Sequence, residues 1–449
     1  MSIALVILAA GKGTRMDSDL PKVLHSIGGA PLLHHAMHSA ASLEPDRTVI
    51  VTGHEAARVA AAAQAFDADA VAVRQDEQLG TGHAVAQARD ALEGFDGDVV
   101  VLYGDTPFIT PETLRAMIAA RAAHDVVVLG FESVDPGRYG RLIMEGAALS
   151  RIVEFKDATD EDRAATLCNS GVICARADTV FSLVDAIGND NASGEYYLTD
   201  IVGIANARGL TASVVTCDEA ETLGINSRVE LARAEAAFQT RKRLELMTDG
   251  VQMQAPDTVF LSFDTTIGRD AQIEPNVVFA PGVTVESGAR IRAFSHLEGA
   301  HVSRGATVGP FARLRPGAEL AEEVHVGNFV EIKNATIDEG AKVNHLTYVG
   351  DAQIGARSNI GAGTITCNYD GMMKHRTTIG PDSFVGSNTM LVAPVTVGAE
   401  AMTATGTVVT KDVPDGAMAI GRAKQTNKDG FARKFFSMLR ARKDQKSKG

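Results

Sequence analysis

Cysteine is scarce: Cys168, Cys174, Cys217 and Cys367 are the whole complement of a 449-residue chain. No two form a CxxC pair and no metal-ligand spacing appears, so cysteine-held metal is excluded and reduced structural thiols are expected. Long apolar runs are missing too. The cleanest early one, Ile3 to Ala10, falls far short of the roughly 20 residues that span a bilayer. No basic segment precedes it, as a signal peptide would require. The expectation is a cytoplasmic protein with no membrane partner. Positive charge is in deficit: 43 Lys and Arg against 56 Asp and Glu, a formal net charge of −13. That excludes general nucleic-acid binding and leaves room for small anions held by local cationic clusters. The exception is the stretch from Gly430 to Gly449, where Arg433, Lys434, Arg440, Arg442, Lys443, Lys446 and Lys448 face Asp444 alone. It reads as a solvated, frayed tail, or as a basic arm over an anionic ligand or a neighbouring subunit.

What is present has two rhythms. The length exceeds that at which one core stops growing, so two or three domains are expected. Up to residue 226, β-rich runs alternate with helical patterns: Ile3 to Leu8, Thr48 to Thr52, Asp98 to Tyr103, Val126 to Gly130, Gly171 to Ala175 and Ala212 to Thr216. One helix begins at Thr110-Pro111, with Thr as cap and Pro at the first helical position. Such alternation predicts an α/β domain with a mostly parallel sheet, whose ligands bind beyond the carboxyl ends of its strands. Residues 227–249 read as a linking helix, opened by the capping box Ser227-Arg228-Val229-Glu230 and stopped at Asp249-Gly250.

From 250 onward, aliphatic or Phe residues recur every six positions: 267, 273, 279, 285, 291 and 297, then 302 to 332 after a one-residue reset. They return at 337, 343 and 349, at 354 and 360, and at 379, 385, 391 and 397. This hexapeptide repeat predicts a parallel β-helix with three hexads to a coil and the aliphatics inside. The break "TCNYDGMMKHRTT", 366–378, reads as a polar loop leaving the coil, and loops on rigid scaffolds carry function.

The opening loop, Gly11-Lys12-Gly13-Thr14-Arg15-Met16, fits neither GxxxxGK[ST] nor GxGxxG. It reads as an anion-binding loop whose N–H groups face a phosphate, with charge added by Arg15 and Lys22; a plain strand-to-helix turn is the alternative. It continues as "GKGTRMDSDLPKVLH", which resembles the G-x-G-T-R-M…P-K signature of sugar-1-phosphate nucleotidyltransferases. "QLGTGHA" (78–84), "YGDTP" (103–107), "YGR" (139–141), "IVEFKDAT" (152–159), "NSG" (169–171) and "EYYLTD" (195–200) follow in that family's order. With "RLRPGAEL", "HLTYVGD" and "NIGAGTITCNYDG" in the repeat half, nearly the whole chain is similar to one bacterial family. Its members are bifunctional N-acetylglucosamine-1-phosphate uridyltransferases and glucosamine-1-phosphate acetyltransferases.

The resemblance implies an α/β Rossmann-like nucleotidyltransferase domain over 1–226, a linker helix over 227–249, and a left-handed parallel β-helix acetyltransferase domain over 250–449. It implies UTP, acetyl-CoA, glucosamine 1-phosphate and N-acetylglucosamine 1-phosphate as substrates, Mg²⁺ as cofactor, and a homotrimer with acetyl sites between subunits. The product would be UDP-N-acetylglucosamine, a precursor for peptidoglycan and lipopolysaccharide. By the same route, Leu8, Ala9, Ala10 and Gly11 lie against the nucleotide, and Arg15 and Lys22 stabilise phosphate charge. Gln75, Gly80 and Thr81 contact uracil; Tyr103, Gly104 and Asp105 sit at the next strand's end. Asp105 and Asn226 hold the metal, while Gly140, Glu154 and Asn169 meet the sugar.

In the second half, His345 matches the general base that takes a proton from the amine. Arg315, Lys333, Tyr348 and Asn359 match residues around the sugar phosphate. The N–H of Ala362 is a candidate oxyanion donor, and Asn368, Tyr369, Ser387, Thr405 and Arg422 match acetyl-CoA contacts. Thr405 departs from the alanine more usual there, which a backbone contact would tolerate. His25, His34, His35, His38 and His83 read as structural. Two rival readings stand beside this one: a nucleotidyltransferase with a passive regulatory or assembly β-helix, and a trimeric scaffold using a nucleotide as a structural ligand.

Overall fold

A computed structural model describes residues 2–447. Lys448 and Gly449, the end of the basic stretch, lie outside the described residues. Contacts between Cα atoms divide the chain into two compact units. The first is 1–244 with 261–263, and the second is 245–260 with 264–449.

The first unit is built on a nine-stranded sheet. Its strands are β1 (Ile3–Ala9), β2 (Arg47–Thr52), β3 (Val71–Arg74), β4 (Asp98–Tyr103), β5 (Val126–Glu132), β6 (Arg141–Glu145), β7 (Ala148–Val153), β8 (Leu167–Arg176) and β9 (Ala212–Cys217). The main order is β9-β5-β8-β4-β1-β2-β3, with β6 on β8 and β7 on β6. β1 runs parallel to both β2 and β4, and β9 parallel to β5; β8 is antiparallel to β4 and β5. β1 is buried on both faces: Ala4, Val6 and Leu8 enter one core, Ile3, Leu5 and Ile7 the other. A strand covered on both sides has no polar face to show, which is why it reads as an unbroken apolar run. Because the chain leaves β1 for β2 on one side and later returns to β4 on the other, a crevice opens at the carboxyl ends of β1 and β4.

Three strands of this sheet escaped the sequence reading. β3 is a short, half-exposed edge strand, and β6 and β7 form a hairpin turned at Gly146, φ +65°. The helix Pro111–Arg121 starts as expected, with Thr110 Oγ1 accepting from the Thr113 N–H at 3.3 Å. The capping box at 227 is altered. Ser227 Oγ accepts from the Glu230 N–H at 3.2 Å, but the Glu230 carboxylate takes the N–H of Asn226, at 2.6 Å, rather than that of Ser227. The helix itself spans Arg228–Thr248.

The second unit is a left-handed parallel β-helix. Short strands pair with those 18 residues on: Ile267 with Val285, Ile273 with Ile291, Phe279 with Leu297. The reset shortens this to 17, as between Val285 and Val302. All the six-apart positions named above are buried. The inserted loop is narrower than 366–378. Thr366 and Cys367 stay in the strand Ile365–Cys367, and Thr377 opens the strand Thr377–Ile379. Between them, Tyr369 and Lys374 form an antiparallel bridge. The basic stretch is not frayed: Phe431–Lys446 is a helix.

Candidate active sites

In the first unit, β1 delivers Ala10 and Gly11 to the crevice. The loop then doubles back through Gly13, φ +62°, where a Cβ would lie 2.7 Å from the Lys22 Cβ. Only glycine allows this turn and this approach. Leu8, Ala9, Ala10, Gly11, Lys22, Gln75, Gly80, Thr81, Tyr103 and Asp105 line one cavity of about 380 Å³, together with Val23, Gln78, Ala84 and Glu195. Gly80, φ +117°, admits no side chain: a Cβ would meet the Tyr196 carbonyl at 2.6 Å. Gln75 is buried, and its amide nitrogen reaches the Gly80 carbonyl at 3.1 Å and His83 Nδ1 at 3.1 Å. Gly104 sits behind the cavity, its N–H on the Leu8 carbonyl at 3.0 Å.

At the rim, the Lys22 ammonium pairs with Asp105 Oδ2 and donates to Asn226 Oδ1 at 3.0 Å. Asn226 is brought there by the Ile225 N–H, which bonds the Asp105 carbonyl at 3.1 Å. Two hard oxygen donors thus converge on one positive charge. The donor set suits Mg²⁺, which takes few protein ligands and completes its shell with phosphate and water. Among the described residues, no three His, Cys, Asp or Glu side chains gather as an all-protein metal cage. Arg15 stands apart, exposed on the turn Thr14–Met16 and not among the cavity's lining residues.

Gly140, Glu154 and Asn169 come together beside this cavity. The Asn169 N–H bonds the Gly140 carbonyl at 2.9 Å, and a Cβ on Gly140 would lie 3.7 Å from Glu154 Oε1. Burial raises the Glu154 pKa, opposed by the hydroxyl of Thr199, which donates at 3.2 Å. Burial, then the charges of Glu154 and Asp105, also push the Tyr103 phenol up, so it stays a neutral donor. Gly171 makes room for that ring: a Cβ would sit 2.6 Å from it.

In the β-helix, His345 ends the strand Lys342–His345. Asn328 lies on the rung before it, and Asn328 Oδ1 meets His345 Nδ1 at 3.0 Å. An amide oxygen can only accept, so in the neutral ring Nδ1 carries the proton and the lone pair falls on Nε2. The column continues upward one rung at a time. The His345 carbonyl accepts from the Gly363 N–H, Ala362 from Asn388 at 2.7 Å, and Ser387 from Gly406 at 2.8 Å. His345, Ala362, Ser387 and Thr405 therefore occupy one corner on successive coils. Arg422 caps the row by donating to the Thr405 carbonyl at 2.7 Å, a backbone contact that any residue at 405 could make.

Arg315 and Lys333 stand on neighbouring rungs of another face, with Tyr348 pairing Glu331 beside them. Arg315 donates to Glu331 at 2.8 Å. Lys374, from the inserted loop, faces Lys333 and lowers its pKa, as neighbouring like charges do, while Asp351 acts in the opposite sense. Asn368 is buried with this group, bonding Asp351 and, at 3.4 Å, the Tyr348 hydroxyl. Burial alone would raise the Asp351 pKa, but the amides of Asn334 and Asn368 outweigh it and lower the value. Tyr369 is exposed on the loop. Asn359 is on a different sheet from Arg315, Lys333 and Tyr348, in register with Lys342.

Sequence reasoning missed Gln78, Asn328, Asp351 and Lys374. Gln78 heads the quoted "QLGTGHA" and pins the Ala10 carbonyl at 2.6 Å. Asn328 was findable only by stepping 17 residues back from His345. The five histidines read as structural make packing or tethering contacts: His35, for one, lies against the rings of Phe238 and Phe263.

Residues 5–171 match the model of the MobA-like NTP transferase domain, and residues 264–299 that of the bacterial transferase hexapeptide with six repeats. Three curated relatives match end to end, each named "Bifunctional protein GlmU". The one from Ruegeria sp. (strain TM1040) is 69% identical over 449 residues, covering 100% of both chains. That from Cereibacter sphaeroides (strain ATCC 17025 / ATH 2.4.3) is 66% identical over 448 residues, 100% of this chain and 99% of the relative. That from Jannaschia sp. (strain CCS1) is 65% identical over 446 residues, 99% and 98%.

Proposed function

The chain belongs to the bifunctional GlmU family, and from that premise we propose how its two sites divide the work of making UDP-N-acetylglucosamine. It is an enzyme with both activities, a glucosamine-1-phosphate acetyltransferase and an N-acetylglucosamine-1-phosphate uridyltransferase. The observation that carries the division is that each unit has its own cationic cluster beside polar groups: Lys22 with Asp105 and Asn226 in one, Arg315, Lys333 and Lys374 with Glu331 and Asp351 in the other.

In the β-helix, the three cations hold the phosphate of glucosamine 1-phosphate, with Tyr348 and Asn359 as further contacts. Asn328 fixes the imidazole so that His345 Nε2 accepts a proton from the sugar amine. The freed amine attacks the thioester carbonyl of acetyl-CoA, and coenzyme A leaves as the thiol. The N–H of Ala362 supports the oxyanion, while Asn368, Tyr369, Ser387, Thr405 and Arg422 serve the coenzyme.

In the α/β unit, a phosphate oxygen of N-acetylglucosamine 1-phosphate attacks the α-phosphorus of UTP, and pyrophosphate leaves. Leu8 to Gly11 lie along the nucleotide, Gln75, Gly80 and Thr81 read the base, and Gly140, Glu154 and Asn169 hold the sugar. Lys22 and Arg15 neutralise charge that repels two anions from each other. Asp105 and Asn226 would hold Mg²⁺, which would supply further positive charge at the phosphates.

Three copies would share the acetyl sites. Two features support this reading. Asn359 lies on a separate sheet from Arg315, Lys333 and Tyr348. Phe294, Phe311, Phe329 and Leu346 form an exposed apolar row, two ring pairs of which stack at 4.9 and 5.4 Å. The cytoplasm, where its nucleotide and coenzyme substrates occur, is the compartment we assign. The test is thiol release from acetyl-CoA with glucosamine 1-phosphate, run beside pyrophosphate release from UTP. His345→Ala should lower the first by roughly 10²–10⁴-fold and spare the second; unchanged thiol release would refute the assignment.

A further inference from the structure

The amide of Gln75 is committed on one side. Its Nε2 lies 3.1 Å from the Gly80 carbonyl and 3.1 Å from His83 Nδ1. A carbonyl oxygen can only accept, so the nitrogen of the amide, and not its oxygen, must point to Gly80. Gly80 cannot yield. Its carbonyl also takes the Ala84 N–H at 3.1 Å, opening the helix Thr81–Ala86, and its φ of +117° holds it against Tyr196. The backbone of Gln75 is fixed as well, with its N–H on the Thr52 carbonyl at 2.8 Å. Gln75 Oε1 has no partner among the described residues, and is left to the cavity that Gln75 lines.

His83 completes the hold. Its other ring nitrogen, Nε2, lies 3.2 Å from Gln87 Nε2. A neutral imidazole has one N–H and one lone pair, so it cannot accept from both amides. Gln87 is half-buried, and water can replace the bond that its amide makes to the His83 carbonyl. Turned over, its oxygen accepts from the His83 Nε2–H. Gln75 is only 4% exposed and tied to Gly80, and cannot turn. The lone pair of His83 therefore falls on Nδ1, against the Gln75 nitrogen.

We propose that His83 is a positioning residue for base selection: with Gly80 it holds the Gln75 amide so that Oε1 accepts from uracil N3–H and turns cytosine away. The proposal rests on the reading of Gln75 as a base contact. Uracil in a nucleotide has one N–H, at N3, and an amide oxygen accepts from it. Cytosine carries a lone pair at N3, so the same oxygen would face it acceptor to acceptor. An amide able to turn would offer its NH₂ instead, and the discrimination would fall. His83, which reads as structural in the sequence, thus acts on specificity through its neighbour.

The test is pyrophosphate release from UTP and from CTP, each with N-acetylglucosamine 1-phosphate, on the full-length enzyme. The readout is the ratio of the two kcat/KM values, which does not depend on how much of a preparation is folded. The wild type should prefer UTP. His83→Ala should shift the ratio toward CTP by roughly two- to tenfold, the worth of one hydrogen bond. His83→Asn, whose side-chain oxygen can accept in place of Nδ1, should stay within twofold of the wild type. Gln75→Ala separates this proposal from the reading beneath it. If Gln75→Ala keeps the wild-type ratio, Gln75 does not meet the base and both fall. If Gln75→Ala loses the preference while His83→Ala keeps it, the reading stands and the proposal is overturned. Equal losses with UTP and CTP in His83→Ala overturn it too, as does a ratio for His83→Asn as relaxed as that for His83→Ala.

Discussion

The two units gather cations around polar groups by opposite means. In the first, Lys22 meets partners 83 and 204 residues away in sequence. Its site exists only once a strand end, a loop and a helix start have been assembled by the whole α/β core. In the β-helix the contacts step from rung to rung: Asn328 with His345 at 17 residues, Arg315 with Glu331 at 16, Asn368 with Asp351 at 17. One site is a product of tertiary closure, and the other of register repeated along a column. Damage should therefore spread differently in each, and substitutions can test that contrast.

The largest effect is expected at Lys22. Lys22→Ala removes the charge that Asp105 and Asn226 share, and should lower pyrophosphate release by roughly 10²–10³-fold. Acetyl transfer should stay within twofold, measured by thiol release on the same preparation. Next is Leu314→Ala, which empties a fully buried position on Arg315's own rung. It should cost the β-helix about 2–5 kcal/mol. Because each coil rests mainly on its neighbours, calorimetry should show the second unit melting earlier while the first holds its transition.

A smaller effect follows from Glu154. Its pKa is raised by burial above the ordinary 4.5. Its contribution to stability is fully present below that ordinary value and is lost as pH rises through the folded value, so at neutral pH the charge opposes folding. Glu154→Gln should flatten the pH dependence of the first unit's melting and raise its midpoint at neutral pH by about 2 °C, while weakening sugar-phosphate binding in that unit alone. The smallest effect belongs to Thr405→Ala. Arg422 uses the carbonyl there, so the KM for acetyl-CoA should change less than twofold.

The contrast also explains what could be read from the chain. Hexads repeat because each coil needs the same inward aliphatic, so Ile267 to Val397 announced the β-helix before any contact was known. Its site was less legible: Asn328 and Asp351 sit beside His345 and Asn368 only after 17 residues are wound into a coil. In the first unit the reverse holds. Close-set motifs such as "GKGTRM" and "YGDTP" pointed to the cavity, whereas β3, half-exposed at the sheet edge, lacked the apolar run that betrays a buried strand. The C-terminal helix was visible as charge and hidden as structure, because Phe435, Met438 and Leu439 form a stripe only when the segment is coiled at 3.6 residues per turn.

The central claim, that two self-sufficient sites act in series, is tested most directly by mixing. Asp105→Ala and His345→Ala enzymes are prepared separately and given glucosamine 1-phosphate, acetyl-CoA, UTP and Mg²⁺, and UDP-N-acetylglucosamine is measured. Each alone should make almost none, and the mixture should restore synthesis toward the wild-type rate. A mixture as silent as its components would contradict the account.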